Sequence, residues 1–121
     1  MTLQEREARA CAIIDSMAER LRDVSLYLHD NPELGLNEHK AVKVINQFLE
    51  AHNFTSQVGL TELPELQTAL RGDYNDTAQH KIAFLGEYDA LPELGHGCGH
   101  NLIAMMSLGA AIAFSQSAPE A

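Results

Sequence analysis

Seven consecutive residues hold the densest chemistry in this chain: Gly95-His96-Gly97-Cys98-Gly99-His100-Asn101. Three potential metal donors stand at alternate positions. The glycines between them remove bulk and permit unusual backbone angles, so a thiolate and an imidazole can converge on one point. Three donors are too few for a closed structural zinc site, which takes four. An ion bound here would sit in an open site of the catalytic kind, or in one completed from outside the chain. A nucleophilic Cys98 served by His100 is the alternative. Asp89, in Gly86-Glu87-Tyr88-Asp89-Ala90-Leu91-Pro92, is placed to orient a neighbouring imidazole and raise its basicity. Glu87 and Glu93 are weaker candidates. His29, His39, His52 and His80 read as solvated or core histidines. Nothing points to a serine nucleophile, a phosphate loop or a dinucleotide fingerprint.

The elements that must position this loop follow from periodicity. Ile14, Met17, Leu21, Val24 and Leu28 step by three and four, which predicts a helix from about Leu3 to Leu28. Pro32 stops it, because the residue before proline avoids the helical region. Asn37 is the expected N-cap of a second helix carrying Ala41, Val44, Ile45, Phe48 and Leu49. Cys11 lies beside the first stripe and is expected to be a small core residue. Phe54 to Val58 and Leu66 to Leu70 are candidate strands. Lys81 to Leu85 is the strongest one, a compact apolar run expected in the centre of a sheet. Glu87 to His100 reads as a loop. Leu102 to about Phe114 reads as a helix apolar on every side, buried against the sheet, with Asn101 as its cap. The order implies a mixed α/β layer.

Length and charge bound the partners. The chain has 121 residues, with 8 Lys and Arg against 17 Asp and Glu, a formal net charge of −9. One small domain fits that length. Residues 61–121 carry only 2 basic side chains against 8 acidic ones. Neither nucleic acid nor an anionic membrane is the expected partner, since both favour basic surfaces. Two cysteines make no disulfide framework. No signal peptide is visible, and the longest apolar run falls short of the about 20 residues a membrane span needs. A cytoplasmic location is expected.

Four motifs in order carry a resemblance: Leu28-His29-Asp30-Asn31-Pro32-Glu33-Leu34-Gly35, Phe84 to Pro92, Gly95 to Asn101, and Ser107-Leu108-Gly109-Ala110-Ala111. From about Ile13 to Phe114 the chain resembles the metallohydrolase family of aminoacylases, dipeptidases and carboxypeptidases, peptidase family M-twenty. Its closest branch resembles the amidohydrolases of N-acyl amino acids, aminobenzoyl-glutamate and related dipeptides.

The resemblance implies the N-terminal part of an α/β/α, mixed-sheet, zinc-exopeptidase-like catalytic domain. It implies two divalent ions, zinc or manganese, bridging a water, with Cys98 and His100 as metal ligands and Asp89 and His96 in support. Asn101 stands where many relatives have Asp. Family members are roughly three times longer. They continue to a paired-glutamate motif holding the general base, to further ligands, and to a lid domain that usually dimerises. Residues 1–121 are therefore expected to be a partial catalytic domain, without lid or C-terminal half. Such a chain would have no catalytic base of its own, would bind metal weakly or not at all, and would be inactive alone on small amide or dipeptide substrates. It would work as half of a split enzyme, joined by a complementary C-terminal chain or by self-association, persist as a non-catalytic metal- or partner-binding remnant, or have no function of its own.

Overall fold

Thr2 opens the first helix. Its hydroxyl accepts from the Glu5 amide at 3.1 Å, and the Glu5 carboxylate accepts from the Thr2 amide at 2.7 Å. This reciprocal box satisfies two amides that a helix start leaves without partners. In the computed structural model, which describes residues 1–117, helix α1 runs Leu3–Asp30. Asn31 ends it, its amide bonding the Tyr27 and Leu28 carbonyls. Met17, Val24 and Leu28 are buried, as the stripe predicts; Cys11 is exposed, so the expected core role for it is corrected. It lies on the side of α1 that no other element covers tightly enough to bury it.

Helix α2 spans His39–Ala51 and is capped differently from expectation. Glu38, not Asn37, occupies the N-cap, and its side chain makes no capping bond. The Glu33 carboxylate takes that task from outside the helix, accepting from the Lys40 and Ala41 amides at 2.9 Å. A full negative charge at a helix N-terminus is favoured over a neutral amide. Strands β1 (Thr55–Val58) and β2 (Leu70–Asp73) pair antiparallel, with Val58 opposite Leu70 and Thr55 opposite Asp73. The second strand therefore starts where the expected Leu66–Leu70 segment ends. Residues 63–69 are spent in turns, with the Leu66 amide on Leu63 and the Ala69 amide on Leu66. The hairpin rests on α2: a Cβ added at Gly72 would lie 2.9 Å from Leu49.

Helix α3 runs His100–Ser117 and packs mainly along α1, not on a sheet. The two helices approach closely at Gly109, where an added Cβ would stand 3.2 Å from both Ile14 and Leu21. Leu28, Ile45, Leu49, Met105, Leu108 and Ile112 form the core shared by the three helices. Only that side of α3 is buried. Leu102 is 58% and Met106 71% exposed, which corrects the expectation of burial all round.

Lys81–Leu85 is not a central strand. Among the described residues the sheet has two strands, β1 and β2, and residues 81–86 join no ladder. Leu85 is 87% exposed. A strand needs a neighbour to accept its backbone bonds, and none is aligned with this run. It is held instead by the Ser107 hydroxyl, which donates to the Leu85 carbonyl, and by Phe84 tilted against Phe114 at 6.0 Å. The arrangement is mixed helix and sheet, compatible with the α/β class.

Candidate active site

The site is assembled from three separate stretches of chain. The first is the turn after α1. The Glu33 carbonyl accepts from the Ala90 amide at 2.7 Å, and Leu34 and Ala90 form a parallel bridge. Glu33 thus ties the start of α2 to the backbone beside Asp89. The second stretch is the loop that follows. Leu91 and Gly95 exchange both backbone bonds, at 2.9 and 3.0 Å, which closes a tight loop over Pro92, Glu93 and Leu94. The third is a single 3₁₀ turn, His96–Cys98, ended by Gly99 in the left-handed region at φ 84°. The Gly99 carbonyl then accepts from the Leu102 and Ile103 amides and leads into α3. A side chain at Gly99 would be strained, so this reversal requires glycine.

This backbone brings Cys98 and His100 to the same main-chain oxygen. The Asp89 carbonyl is 4.0 Å from Cys98 Sγ and 3.1 Å from His100 Nδ1. The Asp89 carboxylate stands 2.8 Å from the same Nδ1. His100 Nε2 faces the Glu87 carboxylate at 3.0 Å. Burial alone would lower the His100 pKa, but the bond and charge of Asp89, with the charge of Glu87, outweigh it and raise the value above the usual histidine range. An imidazole with a carboxylate on each nitrogen is built to hold positive charge, whether from a proton or a cation.

His96 differs. It is 7% exposed, and its Nδ1 is buried with no hydrogen-bond partner. Burial depresses its pKa first, the charges of His29 and His100 depress it further, and Asp89 opposes them. It therefore sits as a neutral ring behind the loop. Asn101 is not the cap of α3. It lies inside the first turn, buried, and its amide donates to the Ser25 hydroxyl at 3.1 Å and the Ser25 carbonyl at 3.3 Å. Its work is to bolt α3 to α1 next to the loop.

The donor chemistry fits a divalent ion in part. Asp89 takes His100 Nδ1, which leaves Nε2, now paired with Glu87, as the nitrogen that could meet an ion, the division usual for metal-bound histidine. Cys98 and His100 offer a soft sulfur and an imidazole nitrogen, a donor pair suited to zinc. As the side chains stand, no three His, Cys, Asp or Glu donors among the described residues surround a common point. Sequence spacing ranks Glu87 below Asp89, yet the two carboxylates grip one imidazole. The signal was present in their separation of two positions, which puts both on one side of an extended chain.

No family model matches the chain. Individual relatives do. The chain is 37% identical over 116 residues to the "Xaa-Arg dipeptidase" of Mus musculus, covering 91% of this chain and 27% of that protein. The "Xaa-Arg dipeptidase" of Homo sapiens is 34% identical over 119 residues, with the same coverage. A p-aminobenzoyl-glutamate hydrolase component of Escherichia coli (strain K12) is 31% identical over 117 residues, covering 83% of this chain and 24% of that one. The chain belongs to the M-twenty amidohydrolase family. It spans about a quarter of the length of the curated relatives it matches. Among the described residues, no helix of this M-twenty chain is long and apolar enough to cross a membrane.

Proposed function

We propose that the chain contributes the Cys98–His100 part of the metal site of a hydrolase acting on the amide bond of dipeptides or N-acyl amino acids. The observation that carries this reading is the His100 ring held through Nδ1 by Asp89, with Nε2 facing the Glu87 carboxylate and Cys98 on the same Asp89 carbonyl. The named activities of the relatives supply the substrate class. Zinc or manganese bound there would polarise the scissile carbonyl and make a water more acidic. Asp89 keeps the ring oriented and electron-rich. Asn101 and Ser25 hold the start of α3 in place, so Cys98 and His100 keep their spacing. His96, neutral and buried, supports the loop from behind. Two free thiols suit a reducing compartment, the cytoplasm in this reading.

The 121-residue chain is proposed to be inactive alone. Two protein ligands hold an ion weakly, since a catalytic site normally has three. A positioned general base contributes about 10²–10⁴-fold, and the resemblance assigns that base to a motif this sequence lacks. Its working form is proposed to be completed by a complementary chain or a second copy, covering the outer face of α3 where Leu102 and Met106 are exposed. Exposed apolar faces of this kind mark association sites. The test is metal content, size in solution and dipeptide hydrolysis of the purified chain with zinc or manganese, beside Cys98→Ser and His100→Ala. Both substitutions should reduce bound metal. Unchanged metal content in both would overturn the site, and metal-dependent turnover abolished by both would overturn the inactivity.

A further inference from the structure

Every residue from Lys81 to Glu87 is exposed, Ile82 at 65% and Leu85 at 87%. Among the described residues, no main-chain amide of this segment donates to a main-chain carbonyl, and only the Leu85 carbonyl is bonded, by Ser107. The side chains nevertheless alternate. Phe84 meets Phe114, and a Cβ added at Gly86 would stand 3.1 Å from Ser107, while Leu85 between them points to solvent. That is the period of a strand. In a strand the N–H and C=O of one residue point to the same edge, and those of the next residue to the other. Ser107 occupies the edge served by Leu85. Ile82, Phe84 and Gly86 present their groups on the opposite edge, where nothing among the described residues takes them.

Such an edge takes another strand. The charges say which one. Lys81 and Glu87 bracket an uncharged run, each three residues from Phe84. Set antiparallel to its own copy about a two-fold axis at Phe84, the segment brings Lys81 opposite Glu87 at both ends. Ile82 then pairs with Gly86, and Phe84 with its equivalent, on the free edge of each copy. We propose that residues 81–87 are the pairing edge of a homodimer, two copies joined antiparallel about Phe84. The contact uses the same surface on both copies, so it closes at two. A slip of one residue would lose both charge pairs and put the outward Leu85 against the inward face of its copy. This inference commits the association proposed above to a second copy, and it does not rest on the metal reading.

The experiment is sedimentation of the 121-residue chain across a concentration series, where the native chain should form dimers. Lys81→Glu should weaken them at least about tenfold, because it sets like charges opposite each other at both ends. Glu87→Lys should do the same. The two substitutions in one chain should restore the dimer to within about threefold of native, since both pairs re-form reversed. Lys43→Glu changes the net charge equally at an exposed position of α2 and should leave the dimer as it is. Amide exchange reports the register: Ile82, Phe84 and Gly86 should gain protection on dimerisation, and Ala83 and Leu85 should not. A monomer at every concentration would overturn the proposal, as would a double variant no tighter than the single ones. If Met106→Glu dissociates the copies and Lys81→Glu does not, the outer face of α3 is the interface and the strand edge is not. The metal content of the native chain decides the hydrolase reading separately from all of these results.

Discussion

The seam between α1 and α3 and the segment 81–86 are both apolar in sequence and end in opposite surroundings. Ile112 is fully buried, at 0% exposure, while Leu85 is 87% exposed. The seam is closed by residues that interlock: Gly109 admits Ile14 and Leu21, and Asn101 reaches Ser25. The segment 81–86 has a hydroxyl and a ring against it, but no ladder. The difference teaches that hydrophobicity states only what a residue gains from burial. A partner of the right shape decides whether it is buried.

The largest expected effect lies in the seam. Ile112→Ala should cost about 2–5 kcal/mol, because it opens a cavity among tightly packed side chains. Leu85→Ser should change stability by no more than about 0.5 kcal/mol. Urea unfolding of both variants checks this, and equal losses would erase the contrast between the two regions. Next comes close approach within the seam. Gly109→Leu should cost about 1–3 kcal/mol by overpacking against Ile14 and Leu21. A neutral result by the same measurement would mean that the helices separate easily and that the seam is softer than described.

Tyr88 sits between the two regions, its hydroxyl donating to the Thr68 carbonyl. Burial, then the charge of Glu38, raises its pKa to about 12. The unfolded chain ionises first, near the ordinary value of 10, and binds fewer protons than the folded one above it. The contribution of neutral Tyr88 is therefore complete below about pH 10 and is lost as the pH rises toward about 12. Tyr88→Phe should lose about 1 kcal/mol at neutral pH and flatten the alkaline decline in unfolding midpoint. An unchanged alkaline slope would remove Tyr88 as its source. The smallest effect belongs to Cys11→Ser. Cys11 is exposed, so both unfolding midpoint and zinc affinity should stay near native, within about 0.5 kcal/mol for stability. A clear loss would show that Cys11 meets a partner after all.

Helices were legible because they satisfy their backbone bonds within a local stretch. The steps of the α1 stripe and of Ala41 to Leu49 were enough to place both helices, and the Asp30–Pro32 stop fell within a residue or two of its place. The glycine-spaced His96, Cys98 and His100 marked the candidate loop through residue type and spacing alone. Gly99 adopts the left-handed turn that the loop requires, and Cys98 and His100 meet at Asp89. Decisions between distant residues were not legible. The sequence of Lys81–Leu85 is that of a strand, yet strand pairing is a property of two segments, and no second one is aligned with it. Asn101 has the chemistry of a helix cap, but Ser25, 76 positions away, claims its amide. Asn37 is a good local cap, and the charged Glu33 displaced it through space. Local hydrogen bonding and spacing determined the helices and the glycine-rich loop. Only the tertiary structure decided which face of α3 is covered, which carboxylates hold His100, and which apolar run stays in water, because each of those depends on what the folded chain brings alongside.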